Sequence, residues 1–307
     1  MFGIIVYIIL SIFVTKLVYD FIFRRPNETL KTERRYIGET YLYSCEEDTL
    51  AGYLYRTTEN NKKLVVVVPG FKAEAVQYAG TIHGFAECGF DVFSFDCTGC
   101  GNSNGKSSIG FPQAINDLNA TLKFIEENKS FGYNEIFLFG HSRGGYAACC
   151  VVNEHPCISG VISVNGVNTA MDGVMACSVE TVGRIAFVNY CFLWLYQIMI
   201  FGKDIADRYA TKEINKCKIP ILVVQSVHDE KIPIERFSLY SQQKKIHSKN
   251  VSFFLYCNSG NDGHTSIICD PCGKPNKDII LKASEFFENI LERRPHSDGK
   301  HGCYTGI

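Results

Sequence analysis

From Phe2 to Phe23 the chain is apolar apart from Ser11, Thr15, Lys16 and Asp20. As a helix rising about 1.5 Å per residue this stretch would measure about 33 Å, the thickness of a bilayer's hydrocarbon core. Lys16 and Asp20 are at i,i+4, so they can pair on one face while the lysine reaches toward the interface. A polar, basic stretch runs from Pro26 to Arg35, and beyond it the pattern changes period. Tyr36–Ser44 and Ala51–Thr57 alternate as the two strands of a hairpin around Glu46-Glu47-Asp48. Continuous apolar runs follow at Leu64–Val68, Asp91–Phe95, Glu135–Phe139, Ile158–Val164, Ile219–Gln225 and Val251–Tyr256, with loops and helix-like segments between them. Such runs are strands buried on both faces, and their alternation with helices predicts an α/β fold around a mostly parallel sheet. Phe111–Asn128 carries Ile115, Leu118, Leu122 and Ile125 at helical spacing, and Lys277–Leu291 carries Ile280, Leu281, Phe287 and Leu291. Both stripes read as core faces.

Between Val167 and Thr211 the alternation is suspended. Ile185–Gly202 inside it has no charge and holds Phe187, Tyr190, Phe192, Trp194, Tyr196 and Phe201. A second span here would put the two ends of one sheet on opposite sides of a bilayer, so the segment is expected as a buried or interfacial cap helix. Plain packing against the domain and a lipid-binding role are both open to it. The expected organisation is an anchor at 1–25, a basic linker at 26–35, one domain at 36–294 with its cap at about 167–211, and a tail at 295–307.

The first charge is Lys16, and Phe21-Ile22-Phe23 occupies the end of the apolar stretch, which does not suit a cleaved signal peptide. Arg24, Arg25, Lys31, Arg34 and Arg35 come after it, so the positive-inside tendency places the domain in the cytoplasm behind a single-pass anchor. An interfacial helix and a signal peptide are the alternatives. The 14 cysteines are scattered through predicted strands, helices and loops, as expected in a reducing compartment. Cys97/Cys100 and Cys269/Cys272 have the spacing of zinc ligands but lie far apart in the chain, and unpaired loop thiols are the simpler reading. A net charge of -1 offers no broad positive field for nucleic acid, and nucleic-acid binding is set aside.

The run Glu135–Phe139 leads into Gly140-His141-Ser142-Arg143-Gly144-Gly145, and a helix-like segment, Tyr146–Asn153, follows. G-x-S-x-G between a buried strand and a helix is a nucleophile elbow, in which glycines make room for a strained turn that presents the serine hydroxyl. An alcohol needs a base, and the base an orienting acid. Asp229 stands after the run Ile219–Gln225, and His264 in the loop after the last run, in the order serine, acid, histidine. Glu230 and Asp262 are fallback acids. His141 and His228 are competing bases, but His141 sits in the elbow itself and His228 precedes the acid. For the oxyanion the expected donors are the backbone amides of Arg143 and of Phe71, the latter in Pro69-Gly70-Phe71 after Leu64–Val68. A plain turn glycine is the alternative reading of Gly70.

From about Tyr36 to Arg293 the chain resembles the α/β-hydrolase superfamily, in the branch of serine aminopeptidase-like and monoacylglycerol-lipase-like hydrolases. The resemblance rests on the elbow, on the order of the three residues, and on Asp96-Cys97-Thr98-Gly99-Cys100-Gly101-Asn102-Ser103, similar to the family's acidic-Arg-Gly-x-Gly-x-Ser loop, together with Asp117. It implies that this loop buttresses the site. Two positions depart: Pro69-Gly70 replaces His-Gly, and Thr98 replaces the loop's arginine, which removes an expected charge pair. The expected function is hydrolysis of a carboxylic ester, a lipid or acyl ester delivered from the membrane, through an acyl-enzyme on Ser142. A peptidase or amidase, an acyltransferase on the same residues, and a non-catalytic membrane-tethered scaffold are the alternatives. No metal or organic cofactor is called for, and the sequence is silent on oligomeric state.

Overall fold

The computed structural model describes residues 2–26, 38–258, 260–270 and 273–293. The expected linker beyond Pro26, the start of the first expected strand at Tyr36, and the tail lie outside the described residues. Helix α1 (Phe2–Phe23) is followed by the hairpin β1 (Glu39–Cys45) and β2 (Asp48–Tyr55). Then come β3 (Lys63–Val68), α2 (Ala79–Glu87), β4 (Asp91–Phe95), α3 (Gln113–Glu127), β5 (Glu135–His141), α4 (Arg143–Val151) and β6 (Ile158–Val164). After the inserted helices α5 (Ala170–Val182), α6 (Tyr190–Ala206) and α7 (Ala210–Lys216), the sheet resumes with β7 (Ile221–Ser226) and β8 (Val251–Tyr256), and α8 (Lys277–Glu292) closes the domain.

The sheet order is β1-β2-β4-β3-β5-β6-β7-β8. Pairing is antiparallel from β1 through β2 to β4 and parallel from there to β8. The continuous apolar runs make sense because each strand is covered twice. Leu64, Val66 and Val68 of β3 point into one core with Leu118 and Leu122 of α3, while Val65 and Val67 point into the other with Phe85 of α2 and Phe287 of α8. In that second core the Phe287 ring stacks on Phe137 of β5, with centroids 4.5 Å apart.

The inserted segment differs from the single helix expected over 185–202. Thr169 caps α5 by accepting the Asp172 N–H, while Gly183, at φ 71°, ends it, so a 3₁₀ turn, Gly183–Asn189, separates α5 from α6. A further break falls at Gly202, with φ 72°. Of the two placements expected, buried or interfacial, the buried one does not hold: Met199 is 80% and Ile185 69% exposed, and Leu193 and Gln197 are the α6 side chains that turn inward ahead of Gly202.

Helix α1 lies against this insertion. Tyr7 meets Phe192 edge-on at 6.1 Å, Tyr19 meets Tyr196 at 4.9 Å, and the Asn189 amide donates to the Thr15 hydroxyl. Its last turn belongs to the domain core: Tyr19, Ile22 and Phe23 are 2%, 5% and 1% exposed. The Phe23 carbonyl accepts the Ser108 N–H at 2.9 Å, and the Arg25 guanidinium donates to the Gly105 and Gly101 carbonyls at 3.1 and 3.0 Å. Exposed large apolar side chains gather here. Among the described residues, all but Leu42, Leu255 and Leu281 lie on α1 or between Val182 and Ile200. Such a concentration marks an interaction surface rather than ordinary protein exterior.

Because one end of α1 is core and the other is not, truncations along it are expected to differ sharply. Phe23→Ala should lower unfolding free energy by about 3–5 kcal/mol, as for other buried aromatic deletions, whereas Ile9→Ala, 62% exposed, should stay within about 0.5 kcal/mol. Urea unfolding in one neutral detergent, followed by circular dichroism, measures both.

Candidate active site

Strand β5 hands the chain to α4 through Ser142, whose backbone sits at φ 56° and ψ −119°. A serine there is strained, and the turn closes only because its neighbours lack side chains: a Cβ on Gly144 would collide with the Val68 carbonyl. The strain lifts the Ser142 hydroxyl out of the sheet at the amino end of α4. His264 Nε2 lies 3.0 Å from Ser142 Oγ, and His264 Nδ1 lies 2.9 Å from both carboxylate oxygens of Asp229. All three residues are buried, at 6% exposure or less. Asp229 in turn accepts the Lys231 and Ile232 N–H groups at 3.0 and 2.7 Å and the Gln225 amide at 3.3 Å. Its two oxygens are thereby held in one orientation toward the imidazole.

The other residues weighed in these loops have different partners. Glu230 accepts the His264 backbone N–H at 2.9 Å, and Asp262 pairs with the exposed His228 at 2.8 Å. Neither acid meets the His264 ring. His141 points away from the hydroxyl, and its partners define a relay that sequence reasoning did not find. The Gly70 N–H donates to Tyr78 Oη at 2.8 Å, Tyr78 Oη is 2.8 Å from His141 Nδ1, and His141 Nε2 is 2.9 Å from the His264 carbonyl. Only one proton arrangement satisfies every member: the Tyr78 hydroxyl donates to Nδ1 and Nε2–H donates to the carbonyl. The chain of bonds ties the loop after β3, the elbow and the His264 loop together. Asn165, at φ 50°, adds a second donor to the His264 carbonyl at 3.2 Å. No local motif announces Tyr78 or Asn165, since each acts across a large sequence separation.

Arg143 is the first residue of α4, so its N–H has no intrahelical acceptor. The Phe71 N–H is likewise without a partner among the described residues. Phe71 lies beside Ser142 in the wall of a cavity of about 750 Å³, which Phe21, Ile22, Phe111, Ile232 and Ile268 make largely apolar. The Phe71 ring is packed between Phe23, edge-on at 5.3 Å, and Phe111, at 6.2 Å. Among the cysteines, Cys97 and Cys100 are buried, and burial pushes the Cys100 thiol up to about 12. Cys269 lines the pocket, and Cys272 lies outside the described residues. Among the described residues no cluster of His, Cys, Asp and Glu could hold a metal ion.

Burial, and then the neighbouring His264, lower the His141 pKa from 6.5 to about 3, so the ring is neutral in the fold. Between these two values the unfolded chain takes up a proton that the native chain does not, and native stability must fall as pH is lowered through that window. The slope owed to this group is about 1.4 kcal/mol per pH unit. Urea unfolding at several pH values between 6.5 and 3 should therefore give a shallower loss for His141→Gln than for the parent chain, whatever the offset between them.

Comparison with known proteins agrees with this architecture. Residues 59–186 match the family model described as Serine aminopeptidase, S33. The abhydrolase domain-containing protein lid-1 of Caenorhabditis elegans is 29% identical over 102 residues, 33% of this chain and 28% of that protein. The chain thus matches little more than a quarter of that relative's length. Among solved structures, the Pyrococcus furiosus esterase Pf2001 superposes with a TM-score of 0.65 at 17% identity, covering 87% of this chain and 98% of that one. Est1E from Butyrivibrio proteoclasticus, bound to ferulic acid, superposes at 0.58 with 18% identity, covering 82% and 100%. At such identities the likeness is one of fold. Sheet order, elbow and the partial family match converge, and the chain has the α/β-hydrolase fold.

Proposed function

We propose that the chain is a serine hydrolase that cleaves carboxylic esters through an acyl-enzyme on Ser142. The contact between Ser142 Oγ and His264 Nε2 at 3.0 Å, with Asp229 behind the imidazole, carries the reading. In the first half-reaction His264 takes the Ser142 proton as the hydroxyl attacks the ester carbonyl, and the Phe71 and Arg143 amides receive the oxyanion. Collapse of the tetrahedral intermediate breaks the bond to the alcohol, which leaves with the proton from His264. Water then attacks the acyl-enzyme through the same base, and the acid and free Ser142 are restored. Asp229 keeps Nδ1 protonated and Nε2 free to accept.

An ester is favoured over a peptide amine terminus by the carboxylates of the pocket. Glu180 is already bound to Lys231 at 2.9 Å, and Asp270 accepts the Lys274 N–H at 2.9 Å, so neither is a free acid waiting for an ammonium group. Apolar walls from Phe71, Phe111, Ile22 and Ile268 favour an acyl chain, since each buried methylene contributes about 0.8 kcal/mol. The exposed apolar face of α1 and of the segment Val182–Ile200 supports association with a bilayer, which would supply a lipid or acyl ester directly. On this reading the hydrolase domain occupies about 36–294, with the insertion as its cap.

Ser142→Ala should abolish both ester turnover and covalent labelling by a fluorophosphonate while leaving the fold intact, and Asp229→Asn should lower kcat by about 10³–10⁴-fold. Steady-state kinetics on p-nitrophenyl esters, with mass-spectrometric mapping of the labelled residue, measure both. Turnover by a folded Ser142→Ala chain would refute the mechanism.

A further inference from the structure

The pocket beside Ser142 carries three cations in its wall, Arg24, Lys72 and Lys231. They are not equivalent. Lys231 has its acid, Glu180, at 2.9 Å. Arg24 and Lys72 have no carboxylate within ion-pair distance among the described residues, although Arg24 leaves the last turn of α1 and Lys72 follows Phe71 directly. Each is instead set over a ring, Arg24 over Phe21 at 4.7 Å and Lys72 over Phe71 at 5.2 Å. Those contacts fix where the charges stand without neutralising them.

Lys72 is held there against several opposing effects. Its backbone is left-handed, at φ 54°, a conformation that costs a residue with a side chain about 1 kcal/mol or more. The side chain is half-buried. Burial and then the charge of Arg24 both lower its pKa, so the free protein disfavours the ammonium form. Burial and like-charge repulsion at one residue, in the loop next to the nucleophile, are both offset by one thing, an anion between the two cations. A guanidinium offers paired N–H donors and an ammonium a point charge, which together suit the oxygens of a phosphate.

We propose that Arg24 and Lys72 form a subsite at the Ser142 pocket for a phosphate group carried on the alcohol portion of the ester substrate. The proposal rests on the ester-hydrolase reading and names the class of ester within it. Its substrate is an acyl ester of a phosphorylated alcohol, with the acyl chain against Phe71, Phe111 and Ile268 and the phosphate at the exit of α1. The same chemistry could come from the headgroup of a bilayer lipid lying beside α1, and the two sources are separable by experiment.

The full chain in neutral detergent, free of lipid, would be assayed on monobutyrylglycerol and on butyrylglycerol 3-phosphate, soluble esters with the same acyl group and the same scissile bond. The phosphate ester should be favoured in kcat/KM by at least about tenfold, through KM. That ratio should fall by at least about tenfold in Lys72→Gln and in Arg24→Gln and recover in Lys72→Arg, with melting curves establishing that each variant is folded. A parent ratio near one with active turnover overturns the subsite and leaves the hydrolase standing, as does a ratio unchanged in both glutamine variants. If the ratio is near one but both variants bind phosphatidylserine-containing vesicles less well than the parent chain, the cations serve the bilayer and not the substrate, and the proposal is wrong. Turnover of neither ester, with no fluorophosphonate labelling, removes the hydrolase reading and the subsite together.

Discussion

A guanidinium with no exposed surface, that of Arg143, joins the parts on which the site depends. It belongs to the first turn of the helix after the elbow, yet its side chain crosses to the loop before α3, donating from Nε to the Phe111 carbonyl at 3.0 Å and from Nη2 to the Gly110 carbonyl at 2.6 Å. Its flat face lies within 6 Å of the Phe71 and Phe111 ring centroids. Burying such a charge is costly; here two carbonyl dipoles and two aromatic faces offset part of that cost in place of a direct carboxylate, while Nη1 has no hydrogen-bond partner among the described residues. The elbow, the Phe71 loop and the loop that receives α1 are thus held by one side chain.

That arrangement answers the departure at Thr98. The loop lacks the arginine its relatives' pattern would supply, and Asp117 is buried below it. The Thr98 N–H and hydroxyl both donate to Asp117, and the Gln113 amide adds a third bond at 3.1 Å. Burial raises the Asp117 pKa, and the Arg143 charge opposes that rise. The positive charge in this region therefore comes from the elbow rather than from the loop. The loop stays rigid because its acid is met by short-range donors, which can replace a charge pair at lower desolvation cost.

Helix α1 changes meaning once the chain is folded. Hydropathy describes a helix of membrane length, and eleven of its side chains are exposed large hydrophobics. Ile22 and Phe23 at its end, however, are buried with the domain core, and Phe23 supports the ring of Phe71 at 5.3 Å. A segment that reads as a detachable anchor is a wall of the pocket. The end of α1 is thereby connected to the Phe71 loop in the wall of the pocket beside Ser142.

The sequence by itself determined the sheet and the three residues at its edge. Strands buried on both faces must be apolar throughout, and a strained turn must have glycines around its serine, so β3 to β8 and Gly140–Gly145 are local statements about backbone and solvent. The order Ser142, Asp229, His264 is local in the same sense, each residue standing just past a strand that its own neighbours define. What only the tertiary structure decided are the contacts made across large sequence separations: Tyr78 with His141, Asn165 with the His264 carbonyl, Arg143 with Gly110, and Phe23 with Phe71. It also divided the inserted segment into α5, a 3₁₀ turn, α6 and α7 and left its apolar face outside, where hydropathy alone could not distinguish a buried helix from an exposed one. Periodicity reports how much of a residue is removed from water, and not which distant residue removes it. The partners of a site are fixed only when the loops converge.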